Sequence, residues 1–171
     1  MKKLNLITIS FFLFSFSSYS QCKTKTDAIT NEKIVSYATD FRENTLLNTM
    51  KMEIKKPEIT LDFSITYKGA FESSVPNGTE IVVKLSNNEI LKLKTSGDAK
   101  PRVIADYSGV FTSFSYVFVL TKEMVTKIAS VGCELVRFPD LKSGNLDSDK
   151  AAKHLGKGAK CLSESPEFKL N

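Results

Sequence analysis

Residues 59–68 open with a strict alternation of apolar and polar side chains, and this pattern constrains the fold more than any other part of the chain. The two sets are Ile59, Leu61, Phe63 and Ile65 against Thr60, Asp62, Ser64 and Thr66. Because successive side chains of a strand point to opposite faces, the alternation predicts a strand with one buried and one solvated face. Partial alternation at residues 34–37 and 46–54 predicts further strands, and the set favours an antiparallel sheet.

A hairpin is predicted within residues 79–95. Its apolar side chains fall on one face of each strand: Ile81, Val83 and Leu85, then Leu91 and Leu93. Since opposed residues share a face, we expect Leu85 opposite Leu91, with a three-residue turn at residues 87–89. That turn needs one left-handed position, which asparagine tolerates. The same register places Lys84 opposite Lys92. After the hairpin, the composition of residues 96–101 indicates an exposed turn.

A strand, a helix and another strand are predicted within residues 114–138. The first strand has Phe114, Tyr116, Phe118 and Leu120 on one face and Val117 and Val119 on the other. Two apolar faces indicate an interior strand that is covered on both sides. Thr121 is a suitable N-cap for the helix and Gly132 a suitable end. The second strand contains Cys133, Leu135, Val136 and Phe138.

A second helical pattern occupies residues 148–162. Its apolar face has Ala151, Leu155, Ala159 and Leu162, and its opposite face has Lys150, Lys153, Lys157 and Lys160. Cys161 lies at the border of the two faces, within reach of a disulfide partner. The sequence therefore predicts a mainly β domain with two short helices: an antiparallel, sandwich-like sheet, a helix between late strands and a C-terminal helix.

The first 20 residues have the features of a secretory signal peptide. Lys2 and Lys3 precede an apolar run at residues 4–16, and cleavage after Ser20 satisfies the small-x-small rule. The run is shorter than the roughly 20 apolar residues of a transmembrane helix. We therefore expect one β-rich domain at residues 21–171, without a transmembrane segment, in the periplasm or outside the cell. The alternative is a lipoprotein anchored through Cys22, although Gln21 is bulkier than such a signal prefers.

Charge and cysteine content narrow the classes of partner. Removing Lys2 and Lys3 with the signal peptide lowers the 24 basic residues to 22, against 19 acidic ones, which is a net charge of +3. This excess is too small to predict nucleic-acid binding.

An exported chain meets an oxidising compartment, where cysteines tend to form disulfides. Cys22, Cys133 and Cys161 allow three single bridges, and spacing does not choose among them.

Candidate catalytic residues are few. His154 is the only histidine, and it stands beside the lysine stripe with no Gly-x-Ser-x-Gly motif in the chain, so a surface histidine is the favoured interpretation. Cys133 lies in an apolar strand, which raises the pKa of a thiol and favours a structural or disulfide role. Without a Cys-x-x-Cys motif, a thioredoxin-type site is unsupported. We predict no catalytic residue and no cofactor.

Two other segments resemble ligand sites superficially. Asn145, Asp147 and Asp149 alternate as calcium ligands do, but Lys150 and Gly156 stand where a calcium loop needs glycine and glutamate. One histidine and three scattered cysteines do not favour zinc. The segment at residues 156–160, GKGAK, lacks the spacing of a phosphate-binding loop. The lysine stripe allows a weak contact with an anionic surface, but a solvated helix face is favoured.

The segment at residues 22–35 resembles a loosely defined set of small exported proteins of Gram-negative bacteria. These begin near a cysteine and continue with a T-D-x-x-T-x-E-K segment, which is here Thr26, Asp27, Thr30, Glu32 and Lys33. The L-T-K-E helix entry at residues 120–123 and the late K-C-L at residues 160–162 are also similar. The resemblance implies a β-rich exported domain without assigned catalytic residues. It also implies a bridge from Cys22 to Cys161 that leaves Cys133 as a free thiol, whereas a lipoprotein would leave Cys133 to pair with Cys161.

Export, β architecture and the lack of a catalytic motif favour a non-catalytic envelope or secreted binding module for a protein or surface partner. One alternative is a periplasmic inhibitor of a hydrolase that presents residues 71–78 to its target. Another is a small hydrolase whose site is not visible in one dimension.

Overall fold

A computed structural model of the chain describes residues 22–139, 141 and 146–169. Within these residues the chain forms ten strands and three helices: β1 (Cys22–Thr26), β2 (Lys33–Glu43), β3 (Leu46–Lys55), β4 (Glu58–Lys68), β5 (Glu80–Leu85), β6 (Ile90–Lys94), β7 (Arg102–Asp106), β8 (Gly109–Leu120), α1 (Lys122–Val131), β9 (Cys133–Phe138), β10 (Leu146–Ser148), α2 (Asp149–Glu164) and α3 (Pro166–Lys169). The predicted fold class is confirmed, with the short α3 as an addition. The signal peptide predicted at residues 1–20 lies outside the described residues.

The strands form two antiparallel sheets. The large sheet has the order β1-β2-β3-β4-β8-β7, and the small sheet has the order β10-β9-β5-β6. The alternation in β4 has the predicted effect, because Leu61 and Phe63 are fully buried while Thr60 and Asp62 are not. One face of the large sheet is thus apolar, and the other face carries mostly polar side chains.

Two different elements cover the apolar face of the large sheet. The small sheet packs on it through aromatic contacts, such as the edge-to-face pair of Phe63 and Phe138 with ring centroids 5.1 Å apart. Beside the small sheet, α2 packs across β2 and β3 and also contacts β9 and α1. A sheet-on-sheet layer and a helix-on-sheet layer therefore share one core.

The helix between the late strands has the predicted ends. The Thr121 hydroxyl accepts a hydrogen bond from the Met124 amide at 3.1 Å, which caps the first turn. Gly132 follows the last turn with φ of 82°, a left-handed value that side chains disfavour. Both predicted end residues of α1 are confirmed.

The prediction that β8 is covered on both faces is wrong. Phe114 and Tyr116 are fully buried, but Val117 and Val119 on the opposite face are 36% and 52% exposed. The small sheet and the helices all lie on one side of β8, so its valines stand on the solvated face opposite polar residues of β4. Valine favours strands even where it is only partly covered, so its presence did not require burial.

The predicted hairpin forms, but its register is shifted by two residues. Val83 pairs with Leu91, and Leu85 stands opposite Glu89, whose carbonyl accepts the Leu85 amide at 2.9 Å. The three-residue turn is therefore residues 86–88, with Asn88 in the expected left-handed conformation at φ of 66°. Lys84 and Lys92 are not opposed. They form separate ion pairs, with Glu134 at 2.8 Å and Glu80 at 3.3 Å.

Gly158 allows α2 to approach the large sheet closely. The predicted apolar face of α2 is confirmed, because Ala151, Leu155, Ala159 and Leu162 are fully buried. A Cβ atom added at Gly158 would lie 2.7 Å from the Met52 sulfur and 3.1 Å from a Tyr37 ring carbon. Such distances are shorter than van der Waals contact, so only glycine fits here without movement of the Met52 and Tyr37 side chains.

A disulfide joins the first described strand to the C-terminal helix α2. Cys22 on β1 and Cys161 on α2 are bonded, with their Cα atoms 5.8 Å apart and a sequence separation of 139 residues. This is the bridge that the resemblance implies, and Cys133 is left as the free thiol. The bond fixes the outermost strand of the large sheet to the helix that covers it.

Gly158→Ala should destabilise the protein, whereas Gly156→Ala should not. Alanine favours a helix over glycine by about 1 kcal/mol at either position, but only at Gly158 does the new methyl meet Met52 and Tyr37. We expect Gly158→Ala to lower the free energy of unfolding by about 1–2 kcal/mol net of the helix gain. Urea unfolding of the two variants measures the contrast, and an equal gain in stability at both sites would contradict the close contact.

Loss of the disulfide should cost about 2–5 kcal/mol of unfolding free energy, because the bridge closes a long loop in the unfolded chain. Denaturant unfolding of the double variant Cys22→Ser, Cys161→Ser measures this. Alkylation under denaturing conditions checks the pairing: the unreduced protein should accept one alkyl group, at Cys133, and the reduced protein one on each of its three cysteines. Three groups without reduction would show that the bridge is absent.

Candidate functional site

His154 is less exposed than predicted. Its ring is half-buried on α2, where Nδ1 lies 3.4 Å from the Tyr37 hydroxyl and the ring centroid lies 5.8 Å from that of Phe41. Burial lowers the pKa of the imidazole, and the nearby ammonium groups of Lys157 and Lys153 lower it further. Within the described residues the ring hydrogen-bonds only to Tyr37, so the geometry gives it neither a nucleophile to activate nor a carboxylate to orient it.

Cys133 is a free and partly buried thiol. It begins β9 and is partly covered, and burial raises the pKa of its thiol to about 12. The thiolate is the nucleophilic form, so a thiol with this pKa is almost entirely protonated at neutral pH. The expectation of a raised pKa at Cys133 is confirmed.

The alternating carboxylates near α2 have other partners. Asp147 accepts two hydrogen bonds from Arg137, each 2.7 Å long, and this arginine lowers the pKa of the carboxyl group. Asp149 lies in the first turn of α2, where the helix dipole favours a negative charge. Asn145 lies outside the described residues. Among those described, no group of three or more histidine, cysteine, aspartate or glutamate side chains is arranged to hold a metal ion.

Residues 156–160 form part of α2 and do not form a phosphate-binding loop. The four lysines of the stripe are exposed on the outer face of the helix, as predicted. Lys150 is partly engaged, since its ammonium group donates to the Arg42 carbonyl at 2.7 Å. All four ammonium groups keep their charge, since the acceptor of the Lys150 hydrogen bond is a neutral carbonyl.

The loop at residues 71–78 is exposed but held in place. Its middle residue Val75 is buried and pairs through two 2.9 Å backbone hydrogen bonds with Ala99. The Phe71 amide donates to the Thr112 hydroxyl at 3.1 Å, and the Asn77 amide donates to Asp98 at 2.8 Å. Between these contacts the loop presents exposed residues to solvent, which are Glu72, Ser73, Ser74, Pro76, Asn77 and Gly78. A groove of about 570 Å³ runs along the loop toward Pro139 and Leu141.

A larger cleft was not foreseen from the sequence. It has a volume of about 780 Å³ and lies at the end of the large sheet, where the β2–β3 turn, the end of β4 and the β7–β8 hairpin meet. Its lining combines apolar side chains, among them Leu46, Leu47 and Ile104, with charged ones, which are Glu43, Lys68 and Asp106. Its wall includes residues of β7, a strand that the sequence pattern did not reveal.

The lowered pKa of His154 predicts a pH dependence of stability. The ring titrates near pH 6.5 in the unfolded chain but at a lower pH in the folded protein, so below that value the unfolded state binds more protons. The free energy of unfolding should therefore fall as the pH is lowered through about 6.5. His154→Gln should remove this part of the slope, and urea unfolding at a series of pH values measures it. Identical slopes in the variant and the wild type would contradict the assignment to His154.

None of the described helices is both long enough and apolar enough to cross a membrane. Comparison of the chain with protein-family models, with curated proteins and with solved structures finds no match.

Proposed function

We propose that this chain is an exported, non-catalytic domain that binds a protein partner through the loop at residues 71–78. The observation that carries the proposal is the combination of rigidity and exposure in this loop. Hydrogen bonds from Phe71, Val75 and Asn77 fix its backbone, and six of its eight residues remain exposed. A loop that is already ordered loses little conformational entropy when it binds, which favours affinity.

Export is supported by the disulfide together with the signal-peptide features of the first 20 residues. Stable structural disulfides are characteristic of oxidising compartments and rare in the cytosol. The bond to Cys161 also occupies the Cys22 sulfur, which a lipid attached to that cysteine would need. We therefore propose a protein of the periplasm or the extracellular space without a lipid on Cys22.

Inhibition of a hydrolase is the second candidate, and it uses the same loop. Inhibitors of this kind present a surface that changes little on binding. The Val75–Ala99 pairing holds the loop backbone in place, so the surface of the loop should change little on binding. The two candidates differ in the partner, since an inhibitor lowers the activity of the hydrolase that it captures.

Replacing Glu72, Ser73 and Ser74 together with alanine should weaken partner binding at least tenfold, which corresponds to about 1.4 kcal/mol. The three side chains are exposed and Val75 is left in place, so the fold should be unchanged. A photo-crosslinking residue at position 73 identifies the partner in the cell envelope, and calorimetry with the purified partner measures the affinity.

Position 49, on the open face of the large sheet, is the matched crosslinking control, because Thr49 is exposed and distant in sequence from the loop. Adducts of equal yield from both positions would contradict the loop as the binding surface. A turnover activity that is lost in His154→Ala would contradict the non-catalytic assignment. Binding that is abolished by moderate salt and by substitution of Lys153, Lys157 and Lys160 would instead locate the contact on α2.

A further inference from the structure

Within the described residues the two sheets have four edges, and the central three residues of one edge strand have no charged side chain that would hinder pairing with another chain. Natural sheets protect their edges with charged side chains, especially lysine, or with very short strands. β1 has Lys23 and Lys25, β6 has Lys92 and Lys94, and β10 has only three residues. β7, the other edge of the large sheet, has the sequence RVIAD and no lysine.

This edge strand is exposed and apolar at its centre. All five residues of β7 are exposed, with Val103 at 51% and Ile104 at 43%. The turn to β8 adds a fully exposed Tyr107. This concentration of exposed apolar side chains on an open edge is a feature of surfaces that associate.

The hairpin geometry determines which backbone groups of β7 are available. Asp106 and Gly109 flank a two-residue turn and are paired with each other, and Ile104 pairs with Phe111. In such a hairpin the flanking pair exchanges hydrogen bonds, and bonded pairs then recur at every second residue. The amide and carbonyl groups of Val103 and Ala105 consequently point away from β8, toward the open edge.

The charges of β7 match an identical strand that runs in the opposite direction. If two copies pair with Ile104 opposite Ile104, then Arg102 of each copy faces Asp106 of the other, and Val103 faces Ala105. Within the described residues the Arg102 guanidinium has no ion-pair partner. The Ser108 hydroxyl and amide both donate to Asp106 and lower the pKa of its carboxyl group, so this residue stays ionised at neutral pH.

We propose that β7 pairs antiparallel with β7 of a second copy of this chain, about a two-fold axis at Ile104. The two large sheets then form one continuous twelve-stranded sheet, since each contributes six strands. An isologous contact of this kind requires a self-complementary patch. β7 is such a patch, because it begins with an arginine, continues with three apolar residues and ends with an aspartate. The same register places Tyr107 of each copy opposite Pro101 of the other, which extends the contact beyond the strand.

The dimer is expected to be reversible. A strand of five residues is about 17 Å long, so the pair buries less than the roughly 1,600 Å² of a standard stable interface. Dissociation constants in the range of about 1 μM to 1 mM fit a contact of this size. The loop at residues 71–78 makes no part of the paired edge, so a dimer carries two copies of the proposed binding loop.

Charge reversal tests the pairing. Arg102→Asp places two aspartates opposite each other at both ends of the contact, and Asp106→Arg places two arginines there. Each variant alone should sediment as a monomer at concentrations where the wild type is a dimer. An equimolar mixture should dimerise again, because every aspartate then faces an arginine. Lys23→Glu on the β1 edge is the control and should dimerise like the wild type.

Disulfide trapping tests the register and does not depend on the stability of the charge variants. Ile104→Cys brings two thiols together across the two-fold axis, at a non-hydrogen-bonded pair where Cα atoms lie about 4.5 Å apart. Val103→Cys faces Ala105 in this register, so its thiols stay apart. We expect a covalent dimer at least tenfold faster from Ile104→Cys, by non-reducing electrophoresis of the exported protein.

A wild-type protein that remains monomeric up to about 1 mM would overturn the proposal. So would charge variants that still dimerise alone, a mixture that does not recover, or equal trapping from both cysteine variants. The variant with alanine at Glu72, Ser73 and Ser74 should dimerise normally. Failure of the dimer and failure of the binding loop are therefore separate results.

Discussion

The need to cover one wide apolar face determines the rest of this structure. Six strands at about 4.8 Å spacing span about 24 Å, and the small sheet does not extend over all of them. α2 covers the remaining part above β2 and β3, and it approaches closely enough only because Gly158 has no side chain. The disulfide, the position of α1 and the half-buried His154 all follow from the place that α2 takes on the sheet.

The sequence predicted the faces of the strands better than their pairing. Alternation specifies which residues are buried, and a shift of two residues leaves that pattern unchanged. The Leu85 side chain therefore points to the same face of the sheet whether it stands opposite Leu91 or Glu89. Only the hydrogen bonds of the turn decide between these two registers. The prediction that β8 is covered on both faces was wrong because valine, here Val117 and Val119, is favoured in strands with or without burial.

The candidate sites were less predictable, since they depend on residues far apart in the chain. His154 is covered by Tyr37, which lies 117 positions earlier, and nothing near the histidine indicates this contact. β7 has no buried residue, so its five positions show no alternation that would reveal a strand. The bridge from Cys22 to Cys161 followed from the resemblance alone, because spacing allowed three pairings.

The bond between Cys22 and Cys161 also changes how the domain responds to mechanical tension. A pull on the two ends of the described chain passes from β1 directly into α2 through a covalent bond. The strands between them lie outside this path and experience no stretching force. Forced unfolding is governed by the rate at which the loaded elements open, and here those elements are limited to the residues after Cys161. The domain can therefore be tethered at both ends while its sheets stay folded.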